Sequence, residues 1–279
     1  SEAVIKNKAK KRDAVNDLRE KLTRFGECID GDQLITANDG WEKALDGSKV
    51  GLVLHDLYSG FTDLYPKKSK SANDSYEAMN DFADGQWVNS FYSDRSSELV
   101  QAAKWLGWNH AKAHQGMPRT NPVAERQVQR VSRGMRKILS AAGLPNKFWH
   151  LAARYWCFMD NIDCITGDSR FNRRVGLGQW KDLYPDFKEI CFGARVIYKP
   201  QPSYDKYYRS KFQPQGRVGI FLGYDLSAGC KWHGDYLVAD LADFKYYGTS
   251  HEDNQLSKVT VQTARIVRLR EGDDKRPYF

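Results

Sequence analysis

The sequence lacks the features that mark several common classes of protein. Its five cysteines among 279 residues include no Cys-x-x-Cys pair, which argues against a disulfide framework and favours a reducing compartment. No Cys₂His₂ spacing is present, so we expect no zinc in this chain. No apolar run reaches the roughly 18 residues of a membrane span, and no signal peptide is recognisable. We therefore expect an intracellular protein that does not cross a membrane.

Motifs of several enzyme classes are missing as well. There is no GxSxG elbow of a serine hydrolase, no P-loop and no GxGxxG fingerprint. The histidines are scattered without metal-ligand spacing and are more typical of packed or surface side chains. The chain begins at Ser1 and not at Met, so we expect it to be part of a longer protein.

Composition and charge set the scale of the fold and suggest a partner. With 41% hydrophobic and 13% aromatic residues, the chain can build one large or two modest domains, each with a real core. Its 43 Lys and Arg residues against 35 Asp and Glu residues give a net charge of +8. This excess is compatible with a polyanionic partner, although many basic enzymes reach it without one.

The spacing of apolar residues predicts an alternation of strands and helices. The strand-like runs are 28–37, 50–57, 61–65, 87–92 and 109–114. The helical patterns cover 3–24, 71–83, 96–106, 122–142 and 147–162. Three strands joined by short turns, followed by strands that alternate with helices, predict a mixed α/β sheet flanked by helices on both faces.

The second half of the chain changes character, which predicts separate units. Residues 163–187 lose periodicity and collect Gly, Arg and Asp, so we interpret them as a linker. Residues 188–279 carry short β-like runs punctuated by Pro and Gly and predict a small all-β module. The predicted organisation is a basic N-terminal helix or linker over 1–25, an α/β core over 26–162, the linker, and the β-rich module.

Three acidic residues stand in settings that suit metal-dependent chemistry. Asp32 lies in the first strand, Asp94 directly follows the fourth strand, and Glu125 lies in the first turn of the helix over 122–142. Carboxylates that fold to one sheet edge are what a two-metal phosphoryl-transfer site requires, and Mg²⁺ prefers oxygen ligands. Simpler roles stay open for each: a water-facing strand end, a helix N-cap, and a partner of the helix dipole.

Two groups of basic residues are candidates for binding DNA. Arg126, Arg130, Arg133 and Lys137 follow each other at helical spacing and form one basic face that can hold a phosphate backbone without reading sequence. In the β-rich part, Lys199 and Lys211 border a stretch rich in Lys, Arg and Tyr. We interpret that stretch as a DNA or multimer contact, with a solvated basic loop as the alternative.

Several segments, taken in this order, resemble the integrase region of copia-type LTR retrotransposon polyproteins. The matching segments are ECIDGD (27–32), LVLHDLYS (52–59), FYSDRSSE (91–98), NPVAER (121–126), CFG (191–193) and GIFLGY (219–224). The resemblance runs from about Gly26 to at least Tyr224. In it, Asp32, Asp94 and Glu125 occupy the positions of the family's three catalytic carboxylates.

The resemblance implies a fold, a reaction and partners. The implied fold is a ribonuclease-H-like mixed five-stranded sheet flanked by helices, followed by a small all-β C-terminal module. The implied activity is 3′-end processing and strand transfer of element DNA into target DNA by a DDE-type polynucleotidyl transferase that uses two Mg²⁺ (or Mn²⁺) ions. DNA, a homo-oligomer and a nuclear location follow from it. Two alternatives stay open: a catalytically inactive or domesticated DNA-binding relative, and a ribonuclease-H-like nuclease without strand transfer.

Overall fold

The computed structural model describes most of the chain. The described residues are 21–35, 43–94, 96–110, 122–164, 168–176, 180–201, 214–244 and 259–269. Of the predicted N-terminal helix over 3–24, all but the last four residues lie outside them. The predicted strand over 109–114 is described only at its first two residues, and Lys211 lies outside the described ranges.

The first part of the chain forms an α/β layer. Its strands are β1 (Ile29–Ile35), β2 (Val50–Asp56), β3 (Thr62–Lys67), β4 (Ser90–Tyr92) and β5 (Asn109–His110). Its helices are α1 (Ala72–Ala83), α2 (Ser97–Trp105), α3 (Pro122–Ala142) and α4 (Trp149–Ile162), the last preceded by a 3₁₀ turn over Asn146–Phe148. Each of these elements overlaps a predicted one, with ends that differ by a few residues.

The strand order confirms the predicted ribonuclease-H-like sheet. The order is β3-β2-β1-β4-β5; β1 pairs antiparallel with β2 and parallel with β4. Every residue of β2 is buried, because helices cover both faces of the sheet, as a strand in the middle of such a layer requires. Ser71 caps α1 by accepting a hydrogen bond from the Asp74 amide, the usual use of serine at that position.

The second part forms the predicted all-β module. Its strands are β6 (Arg195–Tyr198), β7 (Arg217–Ser227), β8 (Lys231–Asp240), β9 (Val261–Ala264) and β10 (Val267–Leu269). All pairings are antiparallel, in the order β10-β6-β7-β8-β9. Because the two edge strands, β9 and β10, are neighbours in sequence, the sheet must curl back on itself like a partly open barrel.

The interpretation of residues 163–187 as a bare linker is wrong for their described part. They contain two short helices, α5 (Arg170–Val175) and α6 (Trp180–Leu183). Phe171 and Trp180 are buried, and their rings meet edge to face at 4.7 Å between centroids. These helices are too short to show a 3.6-residue period, so the sequence pattern missed them.

The two parts share one continuous hydrophobic core. Tyr155 of α4 stacks on Tyr224 of β7, with ring centroids 6.1 Å apart. Phe148 stacks on Phe244, which follows β8, at 5.9 Å. The β module is therefore packed against the α/β layer. Among the described residues, no helix is long and apolar enough to cross a membrane.

Candidate active site

Asp32 lies on β1, where strand alternation sets the direction of its side chain. Asp30 and Asp32 face one side of the sheet, and Gln33 faces the other. The Nε2 atom of Gln33 donates to Glu98 of α2 at 3.0 Å, so α2 covers the side away from Asp32. Asp32 is half-buried, and its Oδ1 accepts a hydrogen bond from the Gln33 amide at 2.7 Å.

Asp94 reaches the same edge of the sheet from the neighbouring strand. β4 runs parallel to β1, and Tyr92 pairs with Asp30. Asp94 therefore lies as far beyond Tyr92 as Asp32 lies beyond Asp30. Asp94 is exposed, and its Oδ1 accepts from the Ser96 amide at 3.1 Å. The N-cap of α2 is Ser96, so Asp94 is not the cap that the simpler interpretation proposed.

Glu125 comes to the site from the helix layer. It lies in the first turn of α3, and α3 packs against β1 and β2. The Glu125 side chain is exposed. A glutamate in this position also complements the positive end of the helix dipole.

Asp94 and Glu125 lie close enough to Asp32 to act on its carboxylate. The pKa of Asp32 is raised, first by burial and then by the negative charges of Asp94, Glu125 and Asp30. Burial penalises the charged form, and like charges add to that penalty. The structure thus concentrates negative potential at the edge of the sheet where β1 and β4 end.

The chemistry of this donor set suits a hard divalent cation. All its ligand atoms are carboxylate oxygens, which Mg²⁺ prefers. Within the described ranges, however, no group of three or more His, Cys, Asp and Glu side chains stands close enough to hold a metal ion. The structure brings the three predicted residues within electrostatic range, and their role as metal ligands stays a prediction.

A buried pair beneath Asp32 was not anticipated as part of the site. Asp30 and His55 face each other across β1 and β2, and Asp30 Oδ2 lies 3.1 Å from His55 Nδ1. Both side chains are almost fully buried, and Asp30 Oδ1 has no hydrogen-bond partner among the described residues. The sequence signal was the alternation of Asp30 with Asp32; the identity of the partner required the fold.

Only part of the predicted basic face of α3 is exposed to solvent. Arg126, Arg133 and Lys137 are exposed. Arg130 is half-buried instead: its Nη2 donates to both carboxylate oxygens of Asp160 on α4, at 2.5 and 2.7 Å. The prediction of four equivalent cations on one solvent-exposed face is therefore corrected to three exposed cations and one held by α4.

In the β module, Lys199 is exposed just after β6. Its amide donates to the carbonyl of Ile266 at 3.2 Å, and the exposed Arg268 of β10 pairs with Ile197 of β6. Arg268 could not be singled out from the sequence, because it is far from Lys199 in the chain. The pairing of β10 with β6 brings the two residues near each other. Both side chains belong to one exposed part of the module.

Comparison with known proteins gives relatives of one kind. No protein-family model matches the chain. The "Retrovirus-related Pol polyprotein from transposon RE1" of Arabidopsis thaliana is 22% identical over 227 residues, which cover 77% of this chain and 14% of the relative. The corresponding polyprotein from transposon RE2 of the same plant is 21% identical, over 77% of this chain and 15% of the relative. The chain thus spans a small part of the length of these relatives.

Among solved structures, the chain is similar to the HTLV-2 integrase catalytic core domain in complex with magnesium, in a trimeric form. The identity is 15% and the TM-score 0.40. The similarity covers 54% of this chain and 97% of that domain.

Proposed function

We propose that this chain, a relative of the retrovirus-related Pol polyproteins of Arabidopsis transposons, is a retrotransposon integrase. It processes the 3′ ends of element DNA and transfers them into target DNA, using Mg²⁺ or Mn²⁺. The observation that carries the proposal is the electrostatic coupling of Asp32 to Asp94 and Glu125, which come from three different elements of the fold. A carboxylate whose pKa is raised by burial and by nearby charges is a candidate for a functional site.

In this proposal the three carboxylates would together bind two cations. Asp32, the most buried of the three, would contact both ions, while Asp94 and Glu125 would each hold one. Two such ions would stabilise the attacking and leaving oxygens of an in-line phosphoryl displacement. The exposure of Asp94 and Glu125 leaves the site open to a DNA phosphodiester, as a large substrate requires.

The basic residues would position the DNA. Arg126, Arg133 and Lys137 lie on the helix that carries Glu125 and are exposed, so they can neutralise backbone phosphates beside the site. Lys199 and Arg268 would extend the contact onto the β module. We further propose that the chain acts as a homo-oligomer in the nucleus, since two element ends must be joined to target DNA together.

Strand transfer tests the proposal directly. A labelled short duplex carrying the element's terminal sequence is incubated with supercoiled plasmid, the full chain and Mg²⁺ or Mn²⁺. Asp94→Asn and Glu125→Gln should each lower joined product at least about 100-fold, the scale of losing a group that acts in the transition state. Glu77→Gln, an exposed acid on α1, is the matched control and should leave product unchanged.

The other outcomes separate the alternatives. Cleavage of DNA without joined product would identify a nuclease. Metal-independent DNA binding by the unaltered chain, with no product under any divalent condition, would identify an inactive DNA-binding relative. Either result would overturn the integrase proposal.

A further inference from the structure

A buried polar pair, Asp30 and His55, lies beside Asp32 in the sheet. The two residues face each other across β1 and β2, and each side chain is no more than 3% exposed. Asp30 Oδ2 lies 3.1 Å from His55 Nδ1. Burying such a pair in place of apolar side chains gains little or no stability, because both groups lose their hydration. The stability of the fold therefore does not account for the pair.

Strand geometry places Asp30 on the same face as the carboxylate site. Its side chain and that of Asp32 face the same side of β1, and successive residues on one face of a strand lie about 7 Å apart. The helix that carries Glu125, α3, packs against β1 and β2. Gln33 faces the opposite side, where its side chain donates to Glu98 of α2 at 3.0 Å. Asp30 is thus a buried neighbour of a half-buried Asp32 and an exposed Glu125.

The charge of Asp30 acts on Asp32. Burial is the first cause that raises the pKa of Asp32, and the charge of Asp30 adds to the effect after those of Asp94 and Glu125. A charge this far from solvent is screened less than an exposed one. Among the described residues, His55 is the only hydrogen-bond partner of the Asp30 carboxylate. His55 therefore determines where that charge lies.

We propose that Asp30 is a positioning residue for Asp32. Its buried carboxylate, held by His55, repels the carboxylate of Asp32 toward the outer edge of the sheet, beside Asp94. It also adds negative potential that strengthens the binding of a divalent cation at that edge. Because Asp30 is only 2% exposed, it acts through Asp32 and does not touch the substrate. The inference rests on the proposed function, since it concerns the same carboxylate site.

Mn²⁺ binding to the full chain at one fixed pH, followed by isothermal titration calorimetry, tests the role of Asp30. Asp30→Asn keeps the shape of the side chain and removes its charge, and it should weaken Mn²⁺ binding about tenfold. His55→Leu removes the partner of the Asp30 carboxylate and should weaken binding as well. His55→Asn places an amide nitrogen near the position of Nδ1, so it should bind Mn²⁺ within about twofold of the unaltered chain.

Asp56→Asn is the matched control, because Asp56 is an equally buried acid that follows His55 on β2 and faces the other side of the sheet. Its carboxylate accepts from the Gly26 amide at 3.0 Å and from the Ser59 amide at 2.7 Å. Asp56→Asn should therefore lower the urea midpoint of the metal-free chain and leave its Mn²⁺ affinity unchanged. This control separates a loss of stability from a loss of charge beside the site.

Three results would overturn the role of Asp30. Asp30→Asn would bind Mn²⁺ as tightly as the unaltered chain; or Asp56→Asn would lose as much affinity as Asp30→Asn; or His55→Asn would bind no better than His55→Leu. An unaltered chain that bound no Mn²⁺ would overturn the proposed function and this inference together. Binding by the unaltered chain that Asp30→Asn leaves intact would overturn this inference alone.

Discussion

The buried ion pair between Asp63 and Arg154 gives the sharpest test of how the β module is attached. Asp63 lies on β3 and is fully buried, while Arg154 lies on α4. Arg154 Nη1 donates to Asp63 Oδ2 at 2.6 Å, and the thiol of Cys230, in the turn between β7 and β8, donates to the same oxygen at 3.0 Å. Burial opposes the charge of Arg154, but the Asp63 carboxylate and the other acidic groups around it together outweigh burial, so the pKa of Arg154 is raised.

Replacing Arg154 with methionine keeps a long apolar stem and removes the charge. Asp63 is then left in a site without solvent and without its cation, a change that costs about 3–5 kcal/mol in comparable cases. The contact of Arg154 with the ring of Tyr65, 4.9 Å from its centroid, adds about 0.5–1 kcal/mol. Because the Arg154 side chain is 21% exposed, we expect a loss of about 3 kcal/mol, a large share of the ~5–15 kcal/mol that stabilises a typical domain.

Urea unfolding followed by tryptophan fluorescence measures this loss. We expect one transition for the whole chain, because the two parts share a core, with a lower midpoint in Arg154→Met. The double variant Asp63→Asn/Arg154→Met should recover at least about half of the loss, since a neutral amide in place of the carboxylate needs no cation and still accepts from Cys230. A loss under about 1 kcal/mol, or a double variant no more stable than the single one, would refute this account of the junction.

Three further predictions concern single residues. Gly134→Ala should destabilise the chain by about 1–3 kcal/mol in urea unfolding despite the better helix propensity of alanine, because a Cβ there would lie 2.2 Å from the Trp156 ring; an equal or higher midpoint would contradict that packing. Lys67 is buried and donates to Ser75 at 2.8 Å, and burial lowers its pKa from 10.5 to about 8. Because the unfolded chain keeps this proton to higher pH, the stability of the chain should rise between about pH 8 and 10.5. Lys67→Met should remove that rise and increase the free energy of unfolding by about 2 kcal/mol at pH 7. A rise that persists in the variant would exclude Lys67 as its cause. Asp32→Asn should stabilise the metal-free chain by up to about 1 kcal/mol and so raise its melting temperature, because burial and like charges raise the pKa of Asp32 and its ionised form opposes folding at neutral pH. This cost of ionisation should fade as the pH falls toward 3.8. An unchanged or lower melting temperature would show that the ionised Asp32 does not destabilise the fold.

The edge of the sheet at which Asp32 and Asp94 lie can be inferred from the sequence, because it follows from the pattern and order of the strands. Strand alternation fixes the side that Asp32 faces, and the parallel pairing of β4 with β1 brings Asp94 to the same edge. The partner of Asp30 could not be predicted in this way. Its pairing with His55 depends on the register between β1 and β2, and that register is set by which faces of the strands are buried in the fold.

The segment over 163–187 shows where pattern analysis stops. Arg174 lies in α5 with its guanidinium 4.5 and 4.3 Å from the ring centroids of Phe25 and Phe61, and its Nη2 donates to the Phe82 carbonyl at 2.6 Å. A charged residue in a Gly- and Arg-rich stretch indicates solvent exposure by composition alone. Arg174 is packed because the fold brings aromatic residues that are distant in sequence around its guanidinium.

Mn²⁺ binding to the unaltered chain and its site variants, followed by isothermal titration calorimetry, tests the central claim most directly. We predict that the unaltered chain binds up to two ions, that Asp32→Asn abolishes binding, and that Asp94→Asn and Glu125→Gln each weaken it. Binding by Asp32→Asn equal to that of the unaltered chain would contradict the claim that these carboxylates hold the catalytic ions.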